Sequence, residues 1–351
     1  MLDALWQDAR YGVRLLRRSP LFTLTAALSL AIGIGANTTI FSVASALLLR
    51  PLPGIVEPGR LVDIGRTRNG KDFDNSSYPN YRDIRARVTT LSDVYAYKLE
   101  PQAMGLGGQD GAERIYGAIV SGNYFTVLGT RAYAGRLLMD ADDEGAPGSH
   151  PVIVISYELW QRRFGGKPDA VGQVVLLNGH PFTIVGVTPP GFQGTTILRN
   201  EAWVSISSTP LATPRRGAEL LRSREGVFVM MGGRLKPGVT VAQAKAELIS
   251  IGAALEREFP AANRDAGLTA MASAVVPGHI DVFAGFLGLL MAIVGLVLLI
   301  ACVNLSGMVL ARAAGRRREI AVRLAIGASR WRLARQPVSY THLTLPTILR
   351  V

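Results

Sequence analysis

Two stretches of the chain carry no charged side chain: Leu21 to Leu49 and Val282 to Ala311. A bilayer core of about 30 Å is crossed by roughly 20 helical residues, so each stretch predicts a transmembrane helix with a turn or two to spare. The first is too long for the apolar region of a cleaved signal peptide, which is typically about 7–15 residues. Before it, Leu2, Leu5, Trp6, Ala9, Val13 and Leu16 recur at i, i+3, i+4 spacing, with Asp3, Gln7, Arg10, Arg14, Arg17 and Arg18 elsewhere around the wheel. That pattern predicts an amphipathic helix in the membrane interface, broken at Ser19-Pro20.

Between the spans the pattern changes to alternating strand and helix signals. Val152 to Ser156 reads as a buried strand, and Tyr157 to Phe164 as a short helix ending at Gly165-Gly166. Two β-rich runs around Asn178-Gly179 carry the strongest short-range hairpin signal. Thr240 caps an amphipathic helix that closes before Pro260. The reading is membrane α-helical plus α+β, with two transmembrane helices flanking a large α+β domain. By residue number, the predicted parts are an interfacial helix (1–20), a first span (21–49), the outer domain (50–280), a second span (281–311), a basic segment (312–336) and a tail (337–351).

Charge sets the orientation. Of a net charge of +12, residues 1–20 hold four Arg against two Asp, and residues 312–335 hold eight Arg against one Glu. Residues 50–281 are nearly balanced, with 25 Lys and Arg against 23 Asp and Glu. In a soluble chain this excess would suggest nucleic acid. Here the positive-inside rule accounts for it, placing both ends in the cytoplasm, the domain outside and no nucleic acid among the partners. The one cysteine, Cys302, lies in the second span, so no internal disulfide holds the domain.

Within the spans, small and hydroxyl residues fall on one face. Gly35, Thr38 and Ser42 recur with Ala31 and Ser45, and Gly288 and Gly295 recur with Ala292, Cys302 and Ser306. Such stripes let helix backbones approach in lipid, and both are expected to face neighbouring helices or open lipid.

No catalytic, metal or cofactor constellation emerges. Gly65 to Lys71 spells a phosphate loop up to its last position, where Asp72 stands in place of the Ser or Thr that would ligate magnesium. The residues after it, Phe73 to Asn80, read as unable to open the helix such a loop needs. His150, His180, His279 and His342 are scattered without zinc spacing. The acidic run Asp140 to Glu144 lacks calcium-loop spacing and reads as a solvated turn.

After the second span, Arg316, Arg317, Arg318 and Glu319 cluster, Ile320, Val322, Leu324 and Ile326 add an apolar side, and Gly327-Ala328-Ser329 breaks the helix. Such a segment suits acidic lipid or a docked protein.

These motifs, in this order, resemble the MacB/FtsX-like permease family of ABC transporters, in particular its duplicated acidobacterial-type permeases. The resemblance rests on the N-terminal Asp8 to Val43, on Asn123 to Arg136, Glu158 to Gly166, Leu177 to Phe192 and Leu235 to Leu248, and on Arg316 to Arg330. It implies a porter-like outer domain with an inserted subdomain. It also implies a non-catalytic membrane subunit that relays the motion of a separate ABC ATPase to that domain, for efflux or extraction of lipid-linked, peptide or drug substrates. Docking on the ATPase would then fall to Arg316, Arg317, Arg318, Glu319, Arg323, Gly327, Ser329 and Arg330. A dimer, a periplasmic adaptor and membrane lipids are the further implied partners, and the bacterial inner membrane the location. The family continues past Gln336 with further spans, whereas Pro337 to Val351 breaks every preceding pattern and resembles a translated sequencing-adapter fragment. The expectation is a truncated product with an artefactual tail. The competing reading is a two-span sensor whose outer domain binds a ligand; it requires cytoplasmic heptads that are absent up to Gln336.

Overall fold

The computed structural model describes residues 20–48, 53–107, 111–213, 217–278 and 280–315, together with Trp6 and Arg17. The other residues of 1–19, expected from sequence to form an interfacial helix, and those expected to form a docking segment (316–336) and a tail (337–351) lie outside the described residues. The chain divides into two compact units, one holding the long apolar helices and the other spanning Ala46–Ala284.

The first unit contains most of α1 (Pro20–Leu48) and most of the last helix, Ile280–Gly315. Each is long and apolar enough to cross a membrane, over Thr23–Ser45 and Val282–Met308. The pair runs antiparallel: a Cβ on Gly33 would lie 3.0 Å from Leu298, and four residues on Asn37 Nδ2 donates to the Val294 carbonyl (3.4 Å). Buried or half-buried positions on the last helix, Leu287, Met291, Val294, Leu298, Ala301 and Leu305, alternate four and three apart. Ala26, Leu30, Gly33, Asn37, Ile40 and Ala44 do the same on α1. That period near 3.5 is the knobs-into-holes repeat of a left-handed pair.

The second unit opens with β1 (Leu61–Arg68), β2 (Lys71–Asp74) and β3 (Ser76–Ser77), then α2 (Tyr78–Arg87) and β4 (Leu91–Tyr97). The inserted stretch follows: β5 (Gln102–Gly107), β6 (Glu113–Val120), α3 (Tyr124–Leu128), β7 (Ala134–Gly135), β8 (Val152–Ile155), α4 (Tyr157–Phe164), β9 (Val174–Leu177), β10 (His180–Val187) and β11 (Ala202–Ser205). It closes with β12 (Val227–Leu235), α5 (Val241–Glu258) and β13 (Ala266–Ala272), after which the last helix is numbered α6.

Strands β4, β12, β1 and β13 lie side by side in that order, all antiparallel. With α2 and α5 as crossovers this is a split βαβ, ferredoxin-like sandwich. Val62, Ile64, Val94, Ala96, Val229 and Met231 face Tyr81, Ile84, Leu248, Ile251 and Leu255 in one core. The insertion between β4 and β12 forms a second sheet that closes on itself. β6, β5, β9, β10, β8 and β11 pair in sequence, and β11 pairs back onto β6 in parallel. A six-stranded barrel results. Alternation decides which side chains fill it: Ile153, Ile155, Ala202 and Val204 join Phe182 and Ile184 in one core, while Val154 and Trp203 belong to the other. The outer domain is therefore porter-like with an inserted subdomain.

Local signals act where the residues place them. Ser156 caps α4, Gly165 ends it at φ 60°, and Thr240 and Gln243 form a reciprocal capping box on α5. Asn178-Gly179 turns between β9 and β10 at φ 50° and 84°. Two readings need correction. Gly65 to Lys71 is a strand and turn and no phosphate loop, with Asn69 and Gly70 at φ 51° and 70°; what needs correcting is that α2 does open within Phe73 to Asn80, capped by Ser77 with Pro79 in its first turn. The acidic run is only in part a solvated turn: Asp140, Ala141 and Glu144 are exposed, but Asp142 and Asp143 turn inward. Asp142 is buried and clamped by Arg136 (2.7 and 2.8 Å), Asp143 is half-buried and accepts from the Gly122 and Ser207 amides, and Asp140 pairs with Arg85.

Candidate functional site

The porter sheet has one face under α2 and α5. On the other face period-2 alternation puts Leu61, Asp63 and Gly65 of β1, Tyr95 and Tyr97 of β4, and Met230, Gly232 and Arg234 of β12. Aromatic rings cover this face. Tyr95 meets Tyr124 edge-on (centroids 5.2 Å apart), Tyr124 meets Phe125 (5.3 Å), and Phe125 packs on Phe192 and Trp203 (5.6 and 5.9 Å). Both stretches of chain that join the domain to α1 and α6 are tied to this face.

The first, Pro53 to Arg60, is held by Arg234. Its Nη2 donates to the carbonyls of Val56 (2.6 Å) and Leu128 (3.2 Å), its Nε to Val127 (2.7 Å) and its Nη1 to Glu57 (3.3 Å). The Val127 and Leu128 carbonyls close α3, where no further helical amide reaches them and the helix dipole favours a cation. Burial, then the neighbouring Arg60, pull the Arg234 guanidinium below its usual range. The Val56 amide donates to the Leu128 carbonyl (3.0 Å), and Val56 packs where a Cβ on Gly129 would intrude. Arg60 adds bonds to the Leu235 carbonyl (2.7 and 3.2 Å) and to Glu57 (2.7 Å).

The second, Ser273 to Gly278, is held by Asp63. This carboxylate is fully buried and accepts from Ser273 Oγ (2.8 Å) and the Ala274 amide (2.9 Å). Loss of hydration raises its pKa to about 7, against the lowering effect of those two bonds. Further along, Phe73 of β2 lies between Gly65 and Gly278. A Cβ on either glycine would come within 2.6 Å or less of the ring, and Gly278 has φ +76°. Both connections are thus fastened to one aromatic face, the first through β12 and α3 and the second through β1.

The residues singled out from sequence fall elsewhere. Gly35, Thr38, Ser42, Gly288 and Gly295 are exposed on α1 and α6, and a Cβ on any of the three glycines would meet nothing within 4 Å. Thr38 turns its hydroxyl back to the Ile34 carbonyl (2.8 Å). The described contact between the helices uses Gly33 and Asn37 instead. Arg316, Arg317, Arg318, Glu319, Arg323, Gly327, Ser329 and Arg330 lie outside the described residues. Asp63 and Arg234 were missed; the signals that could have found them are an Asp at an inward position of a β1 strand and an Arg at the end of a near-apolar β12.

Residues 23–251 match the model of the MacB-like periplasmic core domain, and residues 291–345 that of the FtsX-like permease C-terminal region. The chain is 27% identical over 275 residues to the pyoverdine export ATP-binding/permease protein PvdT of Pseudomonas syringae pv. tomato, covering 75% of this chain and 39% of that protein. It is 25% identical over 323 residues to the macrolide export ATP-binding/permease protein MacB of Salmonella paratyphi A, covering 87% of this chain and 45% of the relative. The chain therefore spans less than half the length of either relative. A similar solved structure is the periplasmic region of MacB from Actinobacillus actinomycetemcomitans, with TM-score 0.46 and 14% identity over 68% of this chain and 97% of that one.

Proposed function

The chain belongs to the MacB-like periplasmic core domain family, and on that premise we propose that it is a membrane subunit of an ABC exporter, converting ATP-driven motion into movement of its outer domain. The observation that carries this reading is the fastening of both helix connections to one aromatic face, through Arg234 on one side and Asp63 on the other. A movement of either membrane helix along its axis would pull on β12 or β1, which are neighbours in the porter sheet. In this reading α1 and α6 cross the bacterial inner membrane, the α+β domain lies outside, and both ends lie in the cytoplasm. ATP would be hydrolysed on a separate chain docked against Arg316, Arg317, Arg318, Glu319, Arg323, Gly327, Ser329 and Arg330. The working form would be a dimer served by a periplasmic adaptor, and the cargo a lipid-linked molecule, peptide or drug. The exposed Gly35, Thr38, Ser42, Gly288 and Gly295 would meet neighbouring helices of that assembly.

The test is charge reversal in the docking segment. With the full-length protein and its ATP-binding subunit co-reconstituted in proteoliposomes, Glu319→Arg and Arg323→Glu are each expected to abolish stimulation of ATP hydrolysis and co-purification, while insertion stays normal. Unchanged stimulation and co-purification in both variants would overturn the docking assignment.

A further inference from the structure

One loop of the inserted barrel touches both connections. It joins β10 to β11, between Val187 and Ala202. On the first side, a Cβ on Gly54 would lie 3.0 Å from Pro189 and 3.1 Å from Phe192 of this loop. On the second, the Ile197 amide donates to the Val275 carbonyl (3.3 Å). Gly54 follows Leu48, the end of α1, by six residues, and Val275 precedes Ile280, the start of α6, by five. At no more than about 3.5 Å per residue, chain length alone keeps the loop's contacts with Gly54 and Val275 within roughly 25 Å of the respective helix ends.

The base of the loop is fixed and its tip is apolar. Phe192, Thr195 and Thr196 are buried, and the Thr195 amide donates to Tyr124 Oη (3.2 Å). Gly191 and Gly194 turn the chain at φ +76° and +97°. Beyond this base Ile197 and Leu198 stand 40% and 38% exposed, followed by an exposed Arg199. Adjacent large apolar side chains on a rigid base, followed by a cation, suit the boundary between acyl chains and phosphates. Resting on the reading that α1 and α6 span the bilayer, we propose that Ile197 and Leu198 insert into the interfacial layer of the membrane, with Arg199 on lipid phosphate. The partner of this surface is the phospholipid bilayer that the two connections approach. The loop would brace the domain against the membrane at the point where both helix movements enter it.

The experiment uses the full chain with Cys302→Ser, which removes its one thiol. Single cysteines are introduced by Ile197→Cys and, separately, Leu198→Cys, with Val174→Cys on β9 (64% exposed) and Ile300→Cys on α6 (59% exposed) as references. Each is labelled with an environment-sensitive fluorophore and reconstituted into phosphatidylcholine–phosphatidylglycerol vesicles containing lipids nitroxide-labelled at shallow or deep acyl positions. Positions 197 and 198 are expected to be quenched by the shallow nitroxide roughly threefold more than position 174, and position 300 by the deep one. Quenching at 197 and 198 no greater than at 174, with 300 quenched, would overturn the lipid contact. A blue-shifted but unquenched signal at 197 and 198 would do the same, because it would assign the loop to a protein partner. Loss of quenching at position 300 would instead overturn the spanning reading, and the proposal with it.

Discussion

Replacing Asp63 with Asn should change how stability depends on pH more than it changes stability itself. The buried carboxyl titrates at about 7 in the folded chain against 3.8 for an ordinary aspartate. The folded state therefore holds this proton more tightly than the unfolded state. Its contribution is fully present below about pH 4 and is lost as pH rises toward 7. A displacement of about three pH units at ~1.4 kcal/mol each amounts to about 4 kcal/mol across that window. The single carbonyl oxygen of the substituted carboxamide could accept from either Ser273 Oγ or the Ala274 amide but not both, a loss of about 1–2 kcal/mol at every pH. The variant should therefore be less stable than the parent near pH 4 and more stable, by ~2 kcal/mol, near pH 8, so the two curves cross between. Asp143, raised to about 6 by burial, adds a slope of the same sign to both proteins and cancels in the difference. The assay is urea unfolding of the chain in detergent micelles from pH 4 to 8, followed by fluorescence of buried Trp203. Parallel curves for parent and variant would mean that Asp63 keeps its charge throughout, and the argument from its burial would fail.

Arg234→Met should cost about 3–5 kcal/mol, because it strands the Val56 and Val127 carbonyls and takes one of two donors from Leu128; thermal unfolding measures this, and a loss under about 1 kcal/mol would show that the four bonds hold little. Gly278→Val is expected to free the Ser273 to Gly278 connection, seen as faster proteolysis there, since its Cβ would enter the Phe73 ring at a positive φ. Adding Phe73→Ala should recover part of that loss, and no recovery would sink the clash argument. Residues 53–278 expressed alone should give a soluble, cooperatively melting domain without metal, since both cores described lie inside that stretch; a melt that requires added metal would contradict this.

The parts legible in sequence were those encoded by neighbours in the chain. Absence of charge marked the spans, the Ser156 and Thr240 caps and Gly165 marked helix ends, and Asn178-Gly179 marked a hairpin. Barrel closure was not legible, because β6 and β11 pair in parallel across more than 80 residues, a register no local pattern records. The face of each span that meets the other was illegible for a different reason. Both helices are apolar all round, so Gly33 and Asn37 are distinguished from Gly35 and Thr38 only by what lies opposite. Asp142 and Asp143 were misread because carboxylates in an acidic run look solvated until Arg136 and the Gly122 and Ser207 amides reach them. Arg234 was hidden likewise: its acceptors are carbonyls, which every residue has.

The insertion of the barrel between β4 and β12 has a consequence for the order in which the domain assembles. Those two strands are neighbours in the finished sheet, yet residues 98–226 separate them in sequence. Bringing such distant ends together in a disordered chain costs about 3 kcal/mol more entropy than closing a four-residue hairpin. A barrel already formed removes most of that penalty, since its sheet runs on into β4 at the Tyr97–Val120 pair. During synthesis β4 emerges long before β12 and must wait unpaired on that side. Folding should therefore proceed from the insert inward, with the late arrival of β12 completing the porter sheet and setting Arg234 against α3.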